Sequence, residues 1–212
     1  MSHCSRCRGD FLPGDQLYFL GEDETSRAIA WKTASWGQRL IGPRFSHVAI
    51  CGEIHHGQLV FNKPCGVLLF ESTTLCDLPC TLTGKSIKGV QAHDPQARID
   101  AYRGQVWRFR LADPLEPEES RKLTTFLLSE IGKPYDYRRA LRLAGRHFDA
   151  ESLMPTPSAR FCAELNATGL KRVDRIGRDH DPESFSPNSL ARLMLHSGEV
   201  FPIGQGGSEQ LK

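Results

Sequence analysis

The sequence lacks the long apolar segments that membrane-spanning or exported chains carry. Residues 1–15 contain no apolar core of a secretory signal, and the apolar run at 67–70 is far too short to cross a bilayer. These absences predict a cytoplasmic protein without a transmembrane segment. No internal repeat is visible either.

An excess of one charge is also missing. The chain has 27 Lys+Arg and 25 Asp+Glu, and a formal net charge of +2 excludes the strongly basic proteins that bind nucleic acid through a concentrated positive face. A local excess of Lys and Arg does occur at residues 133–178. It would suit an anionic substrate or surface, although a solvated face explains it equally.

The seven cysteines form no strong metal-binding pattern. Cys4 and Cys7 make one C-x-x-C pair, and Cys76 and Cys80 make a C-x-x-x-C pair. Together they would provide a four-thiolate zinc site only if the two segments met in space. In an unexported chain we expect reduced thiols, and we predict neither disulfides nor a metal or other cofactor.

The 212 residues are 39% hydrophobic and 25% charged, which indicates a globular chain able to bury a core. We predict a flexible arm at residues 1–10, one domain at 11–203 and a disordered tail at 204–212. The sequence leaves the oligomeric state open.

Periodicity and turn residues predict an α+β fold in which an antiparallel sheet packs against helices. Predicted strands lie at 16–20, 46–51, 58–62, 66–72, 87–91 and 105–111. Predicted helices lie at 24–40, 116–130, 137–147, 158–172 and 186–196, and the first of these is predicted to break near Thr33. The rest of residues 73–104 is predicted to be irregular.

Cys162 is the main candidate nucleophile because it lies near the start of a predicted helix. Unpaired amides and the positive end of the helix dipole favour a thiolate there, and the same amides can bind an oxyanion. A buried structural cysteine is the alternative interpretation. The local sequence alone does not decide between them.

His47 and Glu71 occupy predicted strands that would hold them rigidly. Strand alternation places His47 on one face with Phe45 and Ala49. Glu71 ends an apolar strand, where a hydrogen bond from His47 would satisfy its carboxylate and fix the tautomer of the ring. The alternative for Glu71 is an acidic side chain that faces water at the end of the strand.

Several motifs together resemble the YiiX-like group of circularly permuted NlpC-type, papain-like cysteine hydrolases. They are Leu12-Pro13-Gly14-Asp15, Phe45-Ser46-His47-Val48-Ala49-Ile50, Glu71, Gly132-Lys133-Pro134-Tyr135-Asp136, Phe161-Cys162-Ala163-Glu164-Leu165 and Ser186-Pro187. The resemblance covers about residues 12–195, and lecithin:retinol acyltransferase is similar to the same group.

The resemblance implies a permuted papain-like fold, with the cysteine helix near the carboxyl end and a triad of Cys162, His47 and Glu71. It also implies that Tyr135 lines the substrate pocket, and we predict that Ser46 contacts substrate. The family usually has Cys-Ser-Glu-Leu where this chain has Cys162-Ala163-Glu164-Leu165. We expect Glu164 to anchor the helix rather than to react.

Three functions fit these features. The first is a hydrolase that cleaves a peptide-like amide, including a peptidoglycan-type amide, or a related acyl bond through a thioester on Cys162. The second is an acyltransferase or lipid-acyl hydrolase that forms the same thioester. The third is a binding module without catalytic activity.

Overall fold

The computed structural model describes residues 11–40, 42–54, 66–144 and 159–203. The predicted arm at 1–10, the predicted strand at 58–62 and the predicted tail at 204–212 lie outside the described residues. No helix within these described ranges is long and apolar enough to cross a membrane.

The described chain forms an α+β fold built on a six-stranded antiparallel sheet. The strands are β1 (Gln16–Gly21), β2 (His47–Ile54), β3 (Gly66–Thr73), β4 (Gly89–His93), β5 (Gly104–Leu111) and β6 (Val200–Pro202). Their order in the sheet is β4-β3-β2-β1-β5-β6. The two motif-bearing strands, β2 and β3, are therefore direct neighbours.

The helices cover both faces of the sheet. They are α1 (Glu24–Thr33), α2 (Trp36–Leu40), α3 (Pro95–Ala101), α4 (Pro117–Glu130), α5 (Tyr137–Ala144), α6 (Cys162–Arg172) and α7 (Pro187–His196). Helices α4 and α6 pack against β2 on the face of the larger core, and α3 packs against β3 beside a smaller core.

The two cores divide the residues of β2 by strand alternation. Val48 and Ile50 belong to the larger core, and Ala49 belongs to the smaller core. Phe45 packs in the larger core, so the expectation that it shares a face with His47 is wrong. The reason is that β2 begins only at His47, and alternation does not extend to Phe45.

The helix predicted at 24–40 breaks after Thr33, as predicted, because Ala34 has an extended backbone and the Ser35 hydroxyl accepts a hydrogen bond from the first turn of α2. Three other elements differ from the sequence prediction. Residues 73–104 contain α3, which the sequence analysis missed, and β6 was also missed. Finally, α6 begins at Cys162 rather than near residue 158.

Candidate active site

His47 is the first residue of β2, and the chain just before it is fixed by the start of α7. The Asn188 side chain accepts a hydrogen bond from the Phe45 amide at 2.8 Å and donates to the Phe45 carbonyl at 3.1 Å. Asn188 is fully buried. The sequence analysis noted Ser186-Pro187 as a helix start but missed Asn188 as the residue that positions the histidine strand.

Glu71 lies buried in β3 and contacts three basic side chains. The distance from His47 Nε2 to Glu71 Oε2 is 2.7 Å, and Arg98 Nε donates to Glu71 Oε1 at 2.5 Å. His93 Nε2 lies 3.5 Å from the same Oε1. The Glu71 carboxylate is therefore enclosed by protein and faces His47 rather than water.

These contacts keep Glu71 ionised. Burial alone would raise the pKa of its carboxyl group, but the Arg98 guanidinium and the hydrogen bond from His47 outweigh burial and lower that pKa well below its usual range. Burial also lowers the pKa of His93, an effect that Glu71 opposes and Arg98 reinforces. Glu71 is thus a fixed negative charge on one side of the His47 ring.

Arg98 was not predicted from the sequence. It lies on α3, a helix that begins with Asp94 as a capping residue and Pro95 in the first turn. Asp followed by Pro is a recognised signal for a helix start. That signal was available in the sequence, but the helix is only seven residues long.

Cys162 is the first residue of α6, and the chain before it is held in an extended conformation. The Arg160 amide donates to the Pro134 carbonyl at 2.8 Å, and the Ser72 hydroxyl donates to the Arg160 carbonyl at 2.6 Å. This pairing with residues 134–135 explains why the helix starts later than predicted. It also places Cys162 where backbone amides of the first helical turn lack helical partners.

Glu164 anchors the start of α6, as the sequence analysis expected. It accepts hydrogen bonds from Arg160 at 2.6 Å and from Arg139 at 3.1 Å. Arg160 also donates to Glu130 at 2.6 Å. These ion pairs lock the cysteine helix against α4 and α5.

The Cys162 thiol lies close enough to the His47 ring to act on the pKa of that ring. Nε2 of His47 faces Glu71, which leaves Nδ1 as the ring nitrogen available to the thiol. Burial alone would lower the pKa of His47, but the charge and hydrogen bond of Cys162, together with Glu71, raise it to about 9. The structure thus brings Cys162, His47 and Glu71 into one chain of contacts.

A cleft of about 710 Å³ opens beside these residues. His47, Ser46 and Tyr135 line it, whereas Cys162 is completely buried. Ser46 already binds the backbone of β1 through its hydroxyl group, at 3.2 Å from both the Phe19 carbonyl and the Gly21 amide. The predicted substrate contacts of Ser46 and Tyr135 remain predictions.

One comparison with known proteins supports the α+β fold, and the papain-like permutation stays a prediction. A solved structure described as "metalloprotein yiiX from Escherichia coli O157:H7, DUF1105" is 15% identical, with 93% of this chain and 98% of that chain covered and a TM-score of 0.51. The chain shares the fold of YiiX. No family model matches the sequence, and neither does any curated protein. At this identity the likeness extends to the fold alone.

YiiX is described as a metalloprotein, which raises the question of metal ligands in this chain. Within the described residues, no group of three or more His, Cys, Asp or Glu side chains is arranged to hold a metal ion. Cys4 and Cys7 of the hypothetical zinc site lie outside those residues. Cys80 is buried, and its sulfur accepts a hydrogen bond from the Ala92 amide at 3.4 Å.

The charged side chains that line the cleft are mainly acidic. Glu22, Asp23 and Asp77 are carboxylates, whereas Arg103 and the protonated ring of His47 are the cations among the described lining residues. The basic excess at residues 133–178 is partly consumed in ion pairs such as those of Arg139 and Arg160. The idea that this excess recruits an anionic group into the cleft therefore finds no support in the lining.

Proposed function

We propose that this chain is a cysteine hydrolase that cleaves an amide or related acyl bond through a thioester on Cys162. The observation that carries the proposal is the chain of contacts from Glu71 through His47 to a thiol at the first position of a helix. These contacts support the roles that we propose, with Cys162 as nucleophile, His47 as acid–base group and Glu71 as orienting carboxylate.

The first step transfers the thiol proton to His47 and joins the sulfur to the carbonyl carbon of the substrate. The imidazolium–thiolate pair that this transfer forms is the reactive form of such a site, and a His47 pKa raised to about 9 favours the transfer. The amide of Cys162 and its neighbours in the first turn of α6 are placed to donate to the oxyanion.

The second step breaks the bond to the leaving group. His47 returns its proton to the departing amine or alcohol, and a thioester remains on Cys162. Water then loses a proton to His47, attacks the thioester carbonyl and releases a carboxylic acid. The thiol regains its proton from His47, so the enzyme returns to its starting state.

Glu71 orients His47 throughout this cycle, and Arg98 keeps Glu71 negative. The resemblance to permuted NlpC-type, papain-like enzymes assigns the same three roles to residues 162, 47 and 71, and the YiiX-like fold is consistent with that assignment. The substrate class that we propose is a peptide-like or other acyl-bearing small molecule.

The buried sulfur requires that the acyl group approach through the cleft past His47 and Tyr135. The Tyr135 ring packs against Phe161, the residue before the nucleophile, with a centroid separation of 6.2 Å. Tyr135 and His47 also form part of the cleft lining. We propose that a shift of the Tyr135 ring opens this path.

Trapping of the acyl-enzyme tests the proposal. The protein is mixed with p-nitrophenyl acetate, and its intact mass and tryptic peptides are measured after rapid acid quenching. We expect an acetyl group on Cys162 and release of nitrophenol in repeated turnovers. Cys162→Ala should lose both signals, whereas the matched variant Cys51→Ala should keep both.

Turnover that persists in Cys162→Ala, or the absence of an adduct on Cys162, would contradict the proposal. The same assay separates hydrolysis from acyl transfer when glycerol or a primary amine is added as an acceptor. Free acetate as the main product supports hydrolysis. Ester or amide products that dominate at low acceptor concentration would favour the acyltransferase.

A further inference from the structure

Three large apolar side chains at the end of α1 and along α2 are exposed to solvent. They are Trp36, Leu40 and Trp31, with exposed fractions of 78%, 63% and 50%. We refer to these three residues as the tryptophan patch. Single exposed apolar residues are common, but a cluster of them with two indoles indicates a surface that contacts something else.

Basic residues surround the tryptophan patch. The guanidinium groups of Arg39 and Arg44 lie over the Trp31 ring, 5.4 and 5.0 Å from its centroid, and Lys32 is exposed beside it. Arg39 also donates to the Trp31 carbonyl at 3.2 Å. The indole and its cations are therefore held together as one preformed unit.

The described elements next to the patch carry no opposing charge. The sequence has no acidic residue between Glu24 and Glu53. Helices α5 and α7, which pack against α1, contain Arg residues and no Asp or Glu. The acidic residues of this region, Glu22, Asp23 and Glu24, lie at the opposite end of α1, and the first two line the cleft.

We propose that the tryptophan patch docks onto the surface of a membrane that contains anionic phospholipids. Tryptophan favours the boundary between headgroups and acyl chains, because the indole is apolar apart from its N–H group. Arg and Lys beside it attract anionic headgroups by about 1 kcal/mol each. A short helical surface with exposed Trp and Leu and a basic margin fits an interfacial position.

Docking in this way would bring the cleft close to the membrane. Helix α1 extends from the cleft, which Ser26 and Ile29 line, to the patch at Trp31. A ten-residue helix is about 15 Å long. The proposal goes beyond the hydrolase function and does not depend on it, because binding to lipid is measurable without any reaction at Cys162.

Vesicle flotation with the full chain tests this inference. Vesicles of pure phosphatidylcholine are compared with vesicles of phosphatidylcholine and phosphatidylglycerol. We expect the protein to float with the anionic vesicles and to stay behind with the neutral ones, and added salt should weaken binding. Fluorescence emission of Trp31 and Trp36 should shift to shorter wavelength on binding, because both indoles leave water. Trp107 is already buried and should not contribute to this shift.

Two pairs of variants separate the patch from general surface effects. Trp36→Ser with Leu40→Ser should lower the partition coefficient by about ten-fold or more, whereas Phe201→Ser, which alters another exposed apolar residue, should not. Arg39→Gln and Arg44→Gln should each lower the partition coefficient by about five-fold, because each removes one positive charge. Arg178→Gln removes an exposed charge elsewhere and should leave binding unchanged.

Several results would overturn the inference. Absence of flotation with either vesicle type would do so, and so would patch variants that bind as well as the unaltered chain. Self-association in lipid-free solution that disappears in Trp36→Ser would instead identify a second copy of the chain as the occupant. Acetyl-enzyme formation from p-nitrophenyl acetate should be unaffected in the patch variants, which keeps this test separate from that of the hydrolase.

Discussion

Two buried cysteines lie beside buried carboxylates in this protein, and their surroundings differ in one respect. Asp15 is bound by Arg108 at 2.7 Å and by Arg110 at 3.0 Å, and the Cys51 thiol lies close by. Glu71 is bound by Arg98, but its other oxygen faces His47, which lies close to Cys162. The second site therefore contains an imidazole, which can accept and donate a proton.

The Asp15 site illustrates how a carboxylate is buried for structure alone. Its arginines come from β5, and the Cys51 amide donates to the Asp15 carbonyl at 2.8 Å, so the contacts connect three adjacent strands. Burial, reinforced by the charge of Asp15 and opposed by the arginines, raises the pKa of the Cys51 thiol well above its usual value. The charged groups that act on this thiol are a carboxylate and two guanidinium groups, with no imidazole among them to accept its proton.

The largest expected difference between the two sites is in thiol reactivity. Iodoacetamide should label Cys162 about 100-fold faster than Cys51 at neutral pH, because an imidazole next to the sulfur supplies the reactive thiolate. His47→Ala should remove this advantage. Peptide mapping by mass spectrometry at several times gives both rates in the same sample.

The comparison is internal, since Cys51 reports any general unfolding of the variant. Faster labelling of both cysteines in His47→Ala would indicate loss of the fold rather than loss of a base. Equal rates for Cys51 and Cys162 in the unaltered, folded protein would refute the nucleophile assignment.

The second prediction compares neutralisation of the two carboxylates. Glu71→Gln and Asp15→Asn each leave a buried arginine without its charge partner, and each should lower the free energy of unfolding by about 3–5 kcal/mol. Only Glu71→Gln should slow acylation of Cys162, by about 100-fold, because the amide no longer stabilises the imidazolium. Urea unfolding gives the stability, and the p-nitrophenyl acetate assay gives the acylation rate.

Stability alone does not distinguish the two sites, so the rate must be normalised to the folded fraction. An Asp15→Asn variant that loses as much normalised activity as Glu71→Gln would remove the basis of the comparison. Retention of full activity in Glu71→Gln would contradict the orienting role of that residue.

The sequence allowed prediction of five of the six described strands and of the three chemical groups that meet, because these depend on local patterns. His47 and Glu71 stand on apolar strands with clear alternation, and Cys162 lies at a helix start. Their proximity was inferred from the order of motifs in a known family rather than from the residues themselves. In the structure it follows from the direct pairing of β2 and β3 and from the packing of α6 on β2.

The partners of Glu71 were not predictable in the same way. Arg98 reaches the carboxylate from a seven-residue helix in a segment that was predicted to be irregular, and nothing in its local sequence distinguishes it from a surface arginine. The role of Asn188 likewise depends on a contact across more than a hundred residues. Long-range polar contacts leave no periodic trace in a sequence, so they became visible only in the fold.

The third prediction compares replacement of the buried arginine at Glu71, Arg98, with replacement of the buried arginine at Asp15, Arg108. Arg98→Met should remove the main influence that lowers the pKa of Glu71, so that this carboxyl group protonates at higher pH. The acidic limb of the acylation rate should then move upward by about one to three pH units. Arg108→Met makes the same chemical change at Asp15 and should leave the acidic limb in place, as a rate profile across pH would show.

The methionine keeps part of the packing of each arginine. Arg98 lies over the rings of Phe19 and Tyr102, and Arg108 over that of Phe11. A shift of the acidic limb in both variants, or in neither, would contradict the positioning role of Arg98.

The fourth prediction concerns the dependence of stability on pH. The folded-state pKa of His47, about 9, lies above the ordinary histidine value of 6.5, so the folded protein binds more protons than the unfolded chain between these values. The stabilisation is fully present below pH 6.5 and is lost as pH rises through about 9. Because one pKa unit corresponds to about 1.4 kcal/mol, we expect a loss on the order of 3 kcal/mol.

Urea unfolding from pH 6 to pH 10 measures this loss, and the difference between the unaltered protein and His47→Gln isolates the histidine. Identical slopes in His47→Gln and in the unaltered chain would show that His47 gains no proton affinity on folding.

The smallest predicted effect concerns access to the two sulfurs. Tyr135→Ala should raise the labelling rate of Cys162 a few-fold, because it removes the ring that packs on Phe161 between the cleft and the nucleophile. Tyr135→Phe keeps the ring and should change the rate little, while Cys51, which does not line the cleft, should respond to neither change. If Tyr135→Ala and Tyr135→Phe both slow labelling to the same extent, the hydroxyl group of Tyr135 rather than the bulk of its ring governs the labelling rate of Cys162. That result would contradict a path of the substrate to the sulfur past Tyr135.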